Sequence, residues 1–472
     1  MLNIYSCDPA AVGRRTHRRD FLRIGALGMG SLSLGWFLQQ QALAESSDFL
    51  RDRSVVLLFL SGGAPHIETF DPKMDAPREY RSVTGAVSTK IPGVQFGGTF
   101  PKLASMADRL AVVRSFHPCD AGDHNIARNH VISGGTTLKA NFGSMYSRLA
   151  GTNNRATGIP NSVFLTPHAA GSSYRYLGQQ GGSWEALSSS GNLSGAYRPF
   201  DPGGANEAID NLTLQVSQRR LEDRQMLLSQ LDRLRKRIDH SSSFQSQDHI
   251  RQQAIDVVLR GVSDSFDLSK EPQSVLDAYD TSNFKVPPNY PKTTNVSSFY
   301  EPVALGRQML LARRLCESGC RFVTVVSEGW DLHADKNNVG IEPGMQLYAP
   351  AVDQAVSAFI EDVKQRGLTE KILLVITSEF GRSPRLNDRG GREHWSQLGL
   401  LAFAGGGLRM GQVIGTSDRM AAAPASNRVT SKELMGTIMH SLLDMTKLRS
   451  ADGSPRELMT SLQQAHPIPE LV

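Results

Sequence analysis

Two residues that can bind a metal ion lie close together in the segment GWDLH. Asp331 and His333 are two positions apart, and in an extended segment that spacing points both side chains the same way. An Asp and a His directed at one point form a suitable pair of ligands for a hard or borderline cation. The pair alone does not establish a metal site. Other segments of the chain must therefore supply further groups.

A second group of polar residues follows the run KILLVITS. Glu379 comes first, and Arg382, Arg392 and His394 follow within one predicted loop. Arginine forks bind planar anions through paired hydrogen bonds, so the loop is typical of a site for an anionic or hydroxyl-rich ligand. Salt bridges within the protein are the alternative explanation for both arginines.

Two more segments carry histidines that can take part in chemistry. SFHPCDAGDHN, which contains His124, is richer in His and Asp than a loop requires for solubility, so one or two of these side chains are expected to reach a site. SGGAPHIETFDPK places His66 after two glycines, which let the backbone approach a ligand closely. His66 can then bind a metal or a polar substrate. A turn with a capping carboxylate is the alternative.

These segments follow predicted strands, which must position them. Continuous apolar runs predict strands over residues 54–60, 110–114, 321–327, 371–378 and 399–404. Helical periodicity is found at 303–318 and 348–366, where Gly367 ends the second pattern. Strands that alternate with helices indicate an α/β sheet covered on both faces. Ligands of such sheets bind beyond the carboxyl ends of the strands, so the polar residues are expected at one edge.

The N-terminus predicts export. Arg18 and Arg19 are followed by Asp-Phe-Leu-Arg, which resembles the twin-arginine signature, and residues 24–38 form a short, Gly-rich apolar stretch. Ala42-Leu43-Ala44 then supplies a small-x-small cleavage site, so residues 1–44 are interpreted as a signal peptide. An uncleaved membrane anchor is the alternative. The signal predicts passage of the folded chain through the twin-arginine translocase to the periplasm or cell envelope.

The remaining chain divides into three parts by its composition and predicted secondary structure. Residues 45–151 and 301–472 are predicted as two parts of one α/β core, and 152–300 as a loop-rich and helical insertion or cap. In the insertion, a charged amphipathic helix is predicted at 214–238, its charges forming a solvated face. The net charge of +5 includes the signal arginines and indicates no nucleic-acid partner. The three cysteines that follow the signal cannot form a disulfide framework.

Several strings taken together resemble one bacterial family of exported proteins, domain of unknown function 1501. The strings are LFLSGGAPHIETFDPK, LAVVRSFHP, ARRLCESGCRFVTV, GWDLH, TSEFGRSPRLN, GREHW and AGGGLRMGQVIG. The family belongs to the alkaline phosphatase and sulfatase superfamily. The resemblance therefore implies an alkaline-phosphatase-like three-layer α/β/α sandwich with a mostly parallel sheet and a helical insertion.

The same resemblance implies half of a two-metal site. Asp331, His333 and His394 match the residues that hold one metal in the superfamily, although Asp-x-His replaces the usual Asp-x-x-x-His. Ser61 and Phe380 stand where the second metal would have an Asp and a His, and Phe380 cannot bind a metal. One divalent cation, zinc or calcium, is therefore expected.

The resemblance also implies an activity. HNIARNHVISG is loosely similar to the sulfatase nucleophile string and places His124 at the nucleophile. The implied protein is a divergent metal-dependent hydrolase of phosphate or sulfate esters, and its implied substrate is an anionic or polysaccharide ester. His124 or Glu379 would act as general base, while Arg382 and Arg392 would hold the anion. The alternatives are a non-catalytic ligand-binding protein and a cell-envelope assembly protein that keep the fold with a degenerate metal site.

Overall fold

A seven-stranded mixed sheet lies at the centre of the protein. The computed structural model describes residues 47–170, 181–203, 263–290, 293, 302–451 and 454–472. The predicted signal peptide at 1–44 and the predicted helix at 214–238 lie outside these described residues.

The sheet is built mainly from parallel pairs. The strands of this sheet and of three small two-stranded sheets are β1 Ser54–Leu60, β2 Ala86–Ser88, β3 Gln95–Gly97, β4 Ala111–Val113, β5 Phe116–His117, β6 Ser162–Leu165, β7 Phe322–Ser327, β8 Ile372–Thr377, β9 Gly381–Arg382, β10 His394–Trp395, β11 Leu401–Gly405, β12 Gln412–Ile414 and β13 Val429–Thr430. The central order is β12-β4-β11-β8-β1-β7-β6. Only β11 runs antiparallel to its neighbours, β4 and β8, in this sheet of described strands. All other strand pairs of the central sheet are parallel.

Helices cover both faces of the sheet. They are α1 His66–Thr69, α2 Pro101–Ser105, α3 His124–Ser133, α4 Phe142–Ala150, α5 Gly181–Leu187, α6 Ser263–Phe266, α7 Gln273–Ala278, α8 Leu305–Glu317, α9 Ile341–Gln365, α10 Ser431–Leu442, α11 Met445–Ser450 and α12 Arg456–Gln463. Within the described ranges, none of these helices has both the length and the apolar character needed to cross a membrane.

The central strand β1 shows why the chain forms three layers. Val56, Leu58 and Leu60 pack in one core with α8 and α9, and the alternate residues pack in a second core with α4 and α10. Side chains of a strand alternate between faces, so a strand buried on both faces reads as a continuous apolar run. This arrangement confirms the predicted three-layer α/β/α sandwich with a mostly parallel sheet.

Helix α9 and strand β6 are among the elements that differ from the sequence-based expectations. Helix α9 begins at Ile341 rather than at residue 348 and contains Pro350 in its interior. Its buried face continues on both sides of the proline, so packing outweighs the lost backbone hydrogen bond. Strand β6 was not predicted, because its short sequence SVFL lies in a Ser/Pro-rich context, yet it pairs with β7 at the sheet edge. Cys119, Cys316 and Cys320 are buried free thiols.

Candidate metal centre

The polar groups meet beyond the carboxyl ends of the central strands. Glu379 follows β8, Asp331 follows β7, and His124 is the first residue of α3. His394 lies in β10, opposite Arg382 of β9 in an antiparallel pair. Gly62, two residues after the end of β1, has a φ of +118°, and a Cβ at this position would lie 2.6 Å from the backbone nitrogen of Asp331. A glycine here therefore allows the loops after β1 and β7 to touch.

Three imidazoles converge on one carboxylate oxygen. The Oδ1 atom of Asp331 lies 3.0 Å from Nε2 of His333, 3.2 Å from Nε2 of His394 and 3.5 Å from Nε2 of His124. Because burial of Asp331 is outweighed by its hydrogen bonds to these histidines and by the charge of Arg382, the pKa of Asp331 lies far below its usual value. The carboxylate is therefore ionised and attracts positive charge to this point.

The opposite nitrogen of each ring faces a hydrogen-bond acceptor. Nδ1 of His124 lies 2.8 Å from Glu379 Oε1, Nδ1 of His333 lies 2.7 Å from Glu393 Oε2, and Nδ1 of His394 lies 2.7 Å from the carbonyl oxygen of Gly122. Ionised carboxylates and carbonyls can only accept, so each Nδ1 carries the proton. A protonated ring also donates from Nε2 to Asp331, whereas in a neutral ring Nε2 keeps its lone pair, directed inward. Such outer partners are typical of metal-binding histidines.

The inward nitrogens can hold a cation between them. Nε2 of His333 lies 2.9 Å from Nε2 of His394, a distance that requires a proton or another cation between the two nitrogens. Burial lowers the pKa of His394, which keeps that ring neutral at neutral pH. At His124, burial is outweighed by hydrogen bonds to Asp331 and Glu379, and its pKa is raised. The same carboxylates that favour a proton on His124 also favour a metal ion beside it.

Ligand spacing fits a zinc ion. Donor atoms of His124, Asp331 and His394 all lie within 4.8 Å of one another, and in the described part of the chain these three residues form the one group of this kind. Two ligands on a tetrahedral zinc with bonds of 2.0–2.1 Å are about 3.3 Å apart. The separations of 3.2 and 3.5 Å from Asp331 Oδ1 match that value. Nε2 of His333 is already engaged, since it accepts from Arg382 Nη1 at 3.2 Å.

Glu379 orients His124 from a fully buried position. Its Oε1 accepts from the backbone N–H of Gly62 at 2.9 Å and pairs with Arg128 at 3.1 Å, in addition to the bond from His124. Burial would raise its pKa, but the charge of Arg128 and the His124 hydrogen bond lower it to about 2. A carboxylate so acidic and so fully bonded is a poor proton acceptor. Of the two residues predicted as general base, Glu379 is therefore suited to positioning the other.

The two arginines predicted to bind substrate are fully buried. Arg382 donates to the carbonyl oxygens of Gly62, Gly63, Trp330 and Arg392, and to Asp331. The Nη atoms of Arg392 donate to backbone carbonyls and to Glu68 at 3.3 Å. In this arrangement the Nη donors hold loops together, so neither arginine presents them to an anion from solvent.

His66 lies apart from the converging imidazoles. Its Nε2 lies 3.0 Å from the carbonyl oxygen of Ala421, and burial lowers its pKa to about 4, so the ring is neutral. Among the described residues, no hydrogen bond or ring contact joins His66 to His124, Asp331 or His394. Of the polar residues expected at this edge, the structure thus brings together His124, Asp331, Glu379 and His394, but not His66.

Sequence reasoning missed two outer partners. Arg128 is four residues after His124 on α3, and both contact Glu379 from the same side of the helix. Helical i, i+4 spacing in HNIAR was the signal that could have found it. Glu393 adjoins His394 in sequence but binds His333 instead, because successive side chains of an extended segment point in opposite directions.

We expect His124 and His333 to differ in their effect on zinc affinity. His124→Ala removes a donor of the proposed ligand group and should weaken zinc binding about a hundredfold or more, a larger effect than the tenfold to hundredfold typical of outer partners. His333→Ala should weaken it by less. Competition with a chromophoric chelator measures both. Equal affinities for wild type and His124→Ala would instead make His124 a base and not a ligand.

Solved structures with a related arrangement of the chain have very different sequences. The lipoteichoic acid synthase LtaP from Listeria monocytogenes is 8% identical, with a TM-score of 0.36 over 89% of this chain and 77% of that chain. The PsFucS1 sulfatase from Pseudoalteromonas sp. is 11% identical, with a TM-score of 0.37 over 91% and 74%. The phosphonate monoester hydrolase SpPMH from Silicibacter pomeroyi is 12% identical, with a TM-score of 0.32 over 83% and 74%. At these values the similarity says nothing about the chemistry of this site.

Sequence comparison confirms the family that the motifs indicated. No curated protein matches the chain in sequence. The family described as Protein of unknown function (DUF1501) matches residues 52–472, which include every strand and helix of the sandwich. The chain therefore belongs to the DUF1501 family.

Proposed function

We propose that this protein is an exported hydrolase of phosphate or sulfate esters that works with one divalent cation. The observation that carries the proposal is the convergence of the Nε2 atoms of His124 and His394 on Asp331 Oδ1, with each Nδ1 held by an outer acceptor. The resemblance of the motifs to the alkaline phosphatase and sulfatase superfamily supports the choice of ester hydrolysis.

The donor set favours zinc over calcium. His124 and His394 supply nitrogen, and Asp331 supplies one oxygen. Calcium takes six to eight oxygen ligands, whereas imidazole suits zinc and other borderline metals. Zinc bound by these residues would supply Lewis-acid polarisation of the ester and lower the pKa of a coordinated water. Three protein ligands with a further position open are characteristic of catalytic zinc sites.

Solvent can reach all three donor residues. The exposed fractions of the side chains are 23% for His124, 27% for Asp331 and 26% for His394, so a substrate can approach them. The supporting residues are more buried, with Glu379 and Arg382 both at 0%. Glu379 holds the ring of His124 in one orientation, and the hydrogen bond from Arg382 holds Asp331. A rigid, buried support below exposed donors preserves the ligand geometry while substrate enters.

Metal content and turnover test the proposal together. The mature protein, folded with zinc present, should retain about one equivalent of zinc after dialysis and should hydrolyse 4-nitrophenyl phosphate or 4-nitrophenyl sulfate. A chelator should abolish turnover, and added zinc should restore it. Folded protein that retains no zinc would refute the metal centre. Retained zinc with no turnover of either ester would refute the hydrolase.

A non-catalytic ligand-binding protein is the second candidate. The observation that favours it is the full engagement of the Arg382 side chain and the Nη atoms of Arg392 by protein groups. Under this alternative, phosphate or sulfate should bind the zinc-loaded protein without being consumed. Calorimetric titration with inorganic phosphate, followed by product analysis with the two esters, separates the candidates.

Export is proposed to depend on one arginine pair. Arg18→Lys with Arg19→Lys should leave an uncleaved precursor in the cytoplasm, because the twin-arginine route reads that pair. The same double change at Arg14 and Arg15 is the matched control, since those arginines lack the following Phe-Leu. Fractionation and immunoblotting measure both variants. Normal export of the first variant would contradict a twin-arginine signal.

A further inference from the structure

Arg382 forms a buried cation site beside the metal ligands. Nε donates to the carbonyl oxygen of Gly63 at 2.8 Å, and Nη1 donates to that of Arg392 at 3.2 Å. Nη2 donates to the carbonyl oxygens of Gly62 and Trp330 and to Asp331 Oδ1. The guanidinium is thus surrounded by four carbonyl oxygens and one carboxylate oxygen, with no solvent exposure. We name these oxygens and the guanidinium they surround the Arg382 nest.

Arg392 is held by a comparable set of oxygens that does not include Asp331, since its Nη atoms donate to four backbone carbonyls and to Glu68. Both arginines have 0% exposure and both donate to backbone carbonyls. Arg392, however, pairs with Glu68, a carboxylate at 0% exposure that also binds the loop at Ser82 and Val83. Only Arg382, of the two, contacts Asp331 and His333. The two residues therefore form a matched pair for separating structural support from an effect on the metal centre.

The oxygens of the Arg382 nest are those that a hard cation binds. Calcium and magnesium prefer carbonyl and carboxylate oxygens, and each buried oxygen without a partner is costly. The guanidinium supplies one positive charge and a full set of donors to these oxygens. It does so from a fixed covalent attachment, so the charge cannot leave. Ser61 and Phe380 offer no carboxylate or imidazole for a second ion nearby.

We infer that the guanidinium of Arg382 takes the place of a second divalent cation, so that the protein binds one exchangeable metal ion and carries the other positive charge covalently. The inference rests on the one-cation centre of the proposed function. Asp331 is then shared between the exchangeable ion and the fixed one. Arg382 acts as a positioning residue, since it is buried and reaches substrate only through Asp331 and His333.

Removing the guanidinium should open the Arg382 nest to a soluble cation. Arg382→Ala removes the donor of the four carbonyl oxygens and one of the donors to Asp331, so the variant should bind calcium with a Kd of about 0.1–1 mM, the range of weak oxygen-ligand sites. Calcium or methylguanidinium at millimolar concentration should raise its melting temperature. Wild type should show neither effect, because its guanidinium already occupies the Arg382 nest. Calorimetry with calcium alone and thermal unfolding measure the two responses.

A refolding assay and the Arg382→Lys variant test the inference further. If Arg382→Ala does not fold in buffer, its refolding yield with and without calcium or methylguanidinium replaces the titration, and an increase specific to this variant supports the inference. Arg382→Lys keeps a fixed charge and should bind no calcium. No calcium or methylguanidinium response in Arg382→Ala, or an equal calcium response in Arg382→Lys, would overturn the inference. Because these readouts do not use zinc, they remain decisive if the wild type proves to bind none.

Discussion

His394→Ala should abolish tight zinc binding while the fold remains. The variant loses an Nε2 donor 3.2 Å from Asp331 Oδ1, and the outer bond from its Nδ1 to Gly122 no longer orients any ligand. With two donors of the group left, zinc affinity should fall by more than the tenfold to hundredfold expected for loss of an outer partner. Elemental analysis after dialysis should then find less than about a tenth of an equivalent. Circular dichroism should report an unchanged fold, since His394 is partly exposed.

Ser61→Ala is the control for this prediction. Ser61 is buried at the end of β1, and its backbone, not its side chain, pairs with Ser327 and Trp330. Neutral serine hydroxyl is a weak metal ligand compared with carboxylate. Zinc content of Ser61→Ala should therefore equal that of wild type. Equal zinc content in His394→Ala and wild type would show that the ion is held elsewhere, and two tightly bound equivalents in wild type would contradict a one-cation centre.

The second large effect should come from Glu379→Gln, and it should depend on pH. In the folded protein the pKa of Glu379 is lowered from an ordinary 4.5 to about 2. A carboxylate with a depressed folded pKa stabilises the protein above the unfolded pKa, and this contribution is lost as pH falls from 4.5 to 2. The shift of 2.5, the difference between 4.5 and about 2, corresponds to about 3 kcal/mol.

Chemical denaturation at several pH values measures this contribution. At pH 7, Glu379→Gln should lower the free energy of unfolding by about 3 kcal/mol, because Arg128 is left buried without its counter-ion. The deficit should shrink as pH falls, since wild type loses the same charge. Glu393→Gln is the matched control, because Glu393 also holds a histidine Nδ1 but is 55% exposed, and its loss should cost under about 1 kcal/mol. A deficit independent of pH would refute the depressed pKa.

The strands at the centre of the sheet were predictable because burial on both faces leaves a simple pattern. β1 was predicted with its observed limits at 54 and 60, and β7 and β8 within one residue at each end. The direction of β11 could not be predicted, because hydrophobic periodicity indicates which residues are buried and not the direction in which a strand runs. β6 could not be found either, since four apolar residues are too few to separate a strand from a buried turn.

The position of the site in the fold could be predicted from the sequence, but the role of each residue in it could be predicted less well. His124, Asp331, Glu379 and His394 could be assigned to one edge, because parallel strands share their carboxyl ends. Sequence could not show that the donors of Arg382 are already bound within the protein, because its acceptors are mostly backbone carbonyls, which every residue carries. Sequence shows charge but not which neighbours have already satisfied it.

The hydrogen bond between His124 and Glu379 joins residues 255 positions apart. A growing chain therefore cannot assemble the metal ligands until nearly all of it has been synthesised and the two parts of the sheet have paired. Metal uptake then becomes a late event that reports completion of folding. For a chain that crosses the membrane already folded, as proposed, the ion must be taken from the cytoplasmic pool, and the choice of metal is made before the protein meets the ions outside.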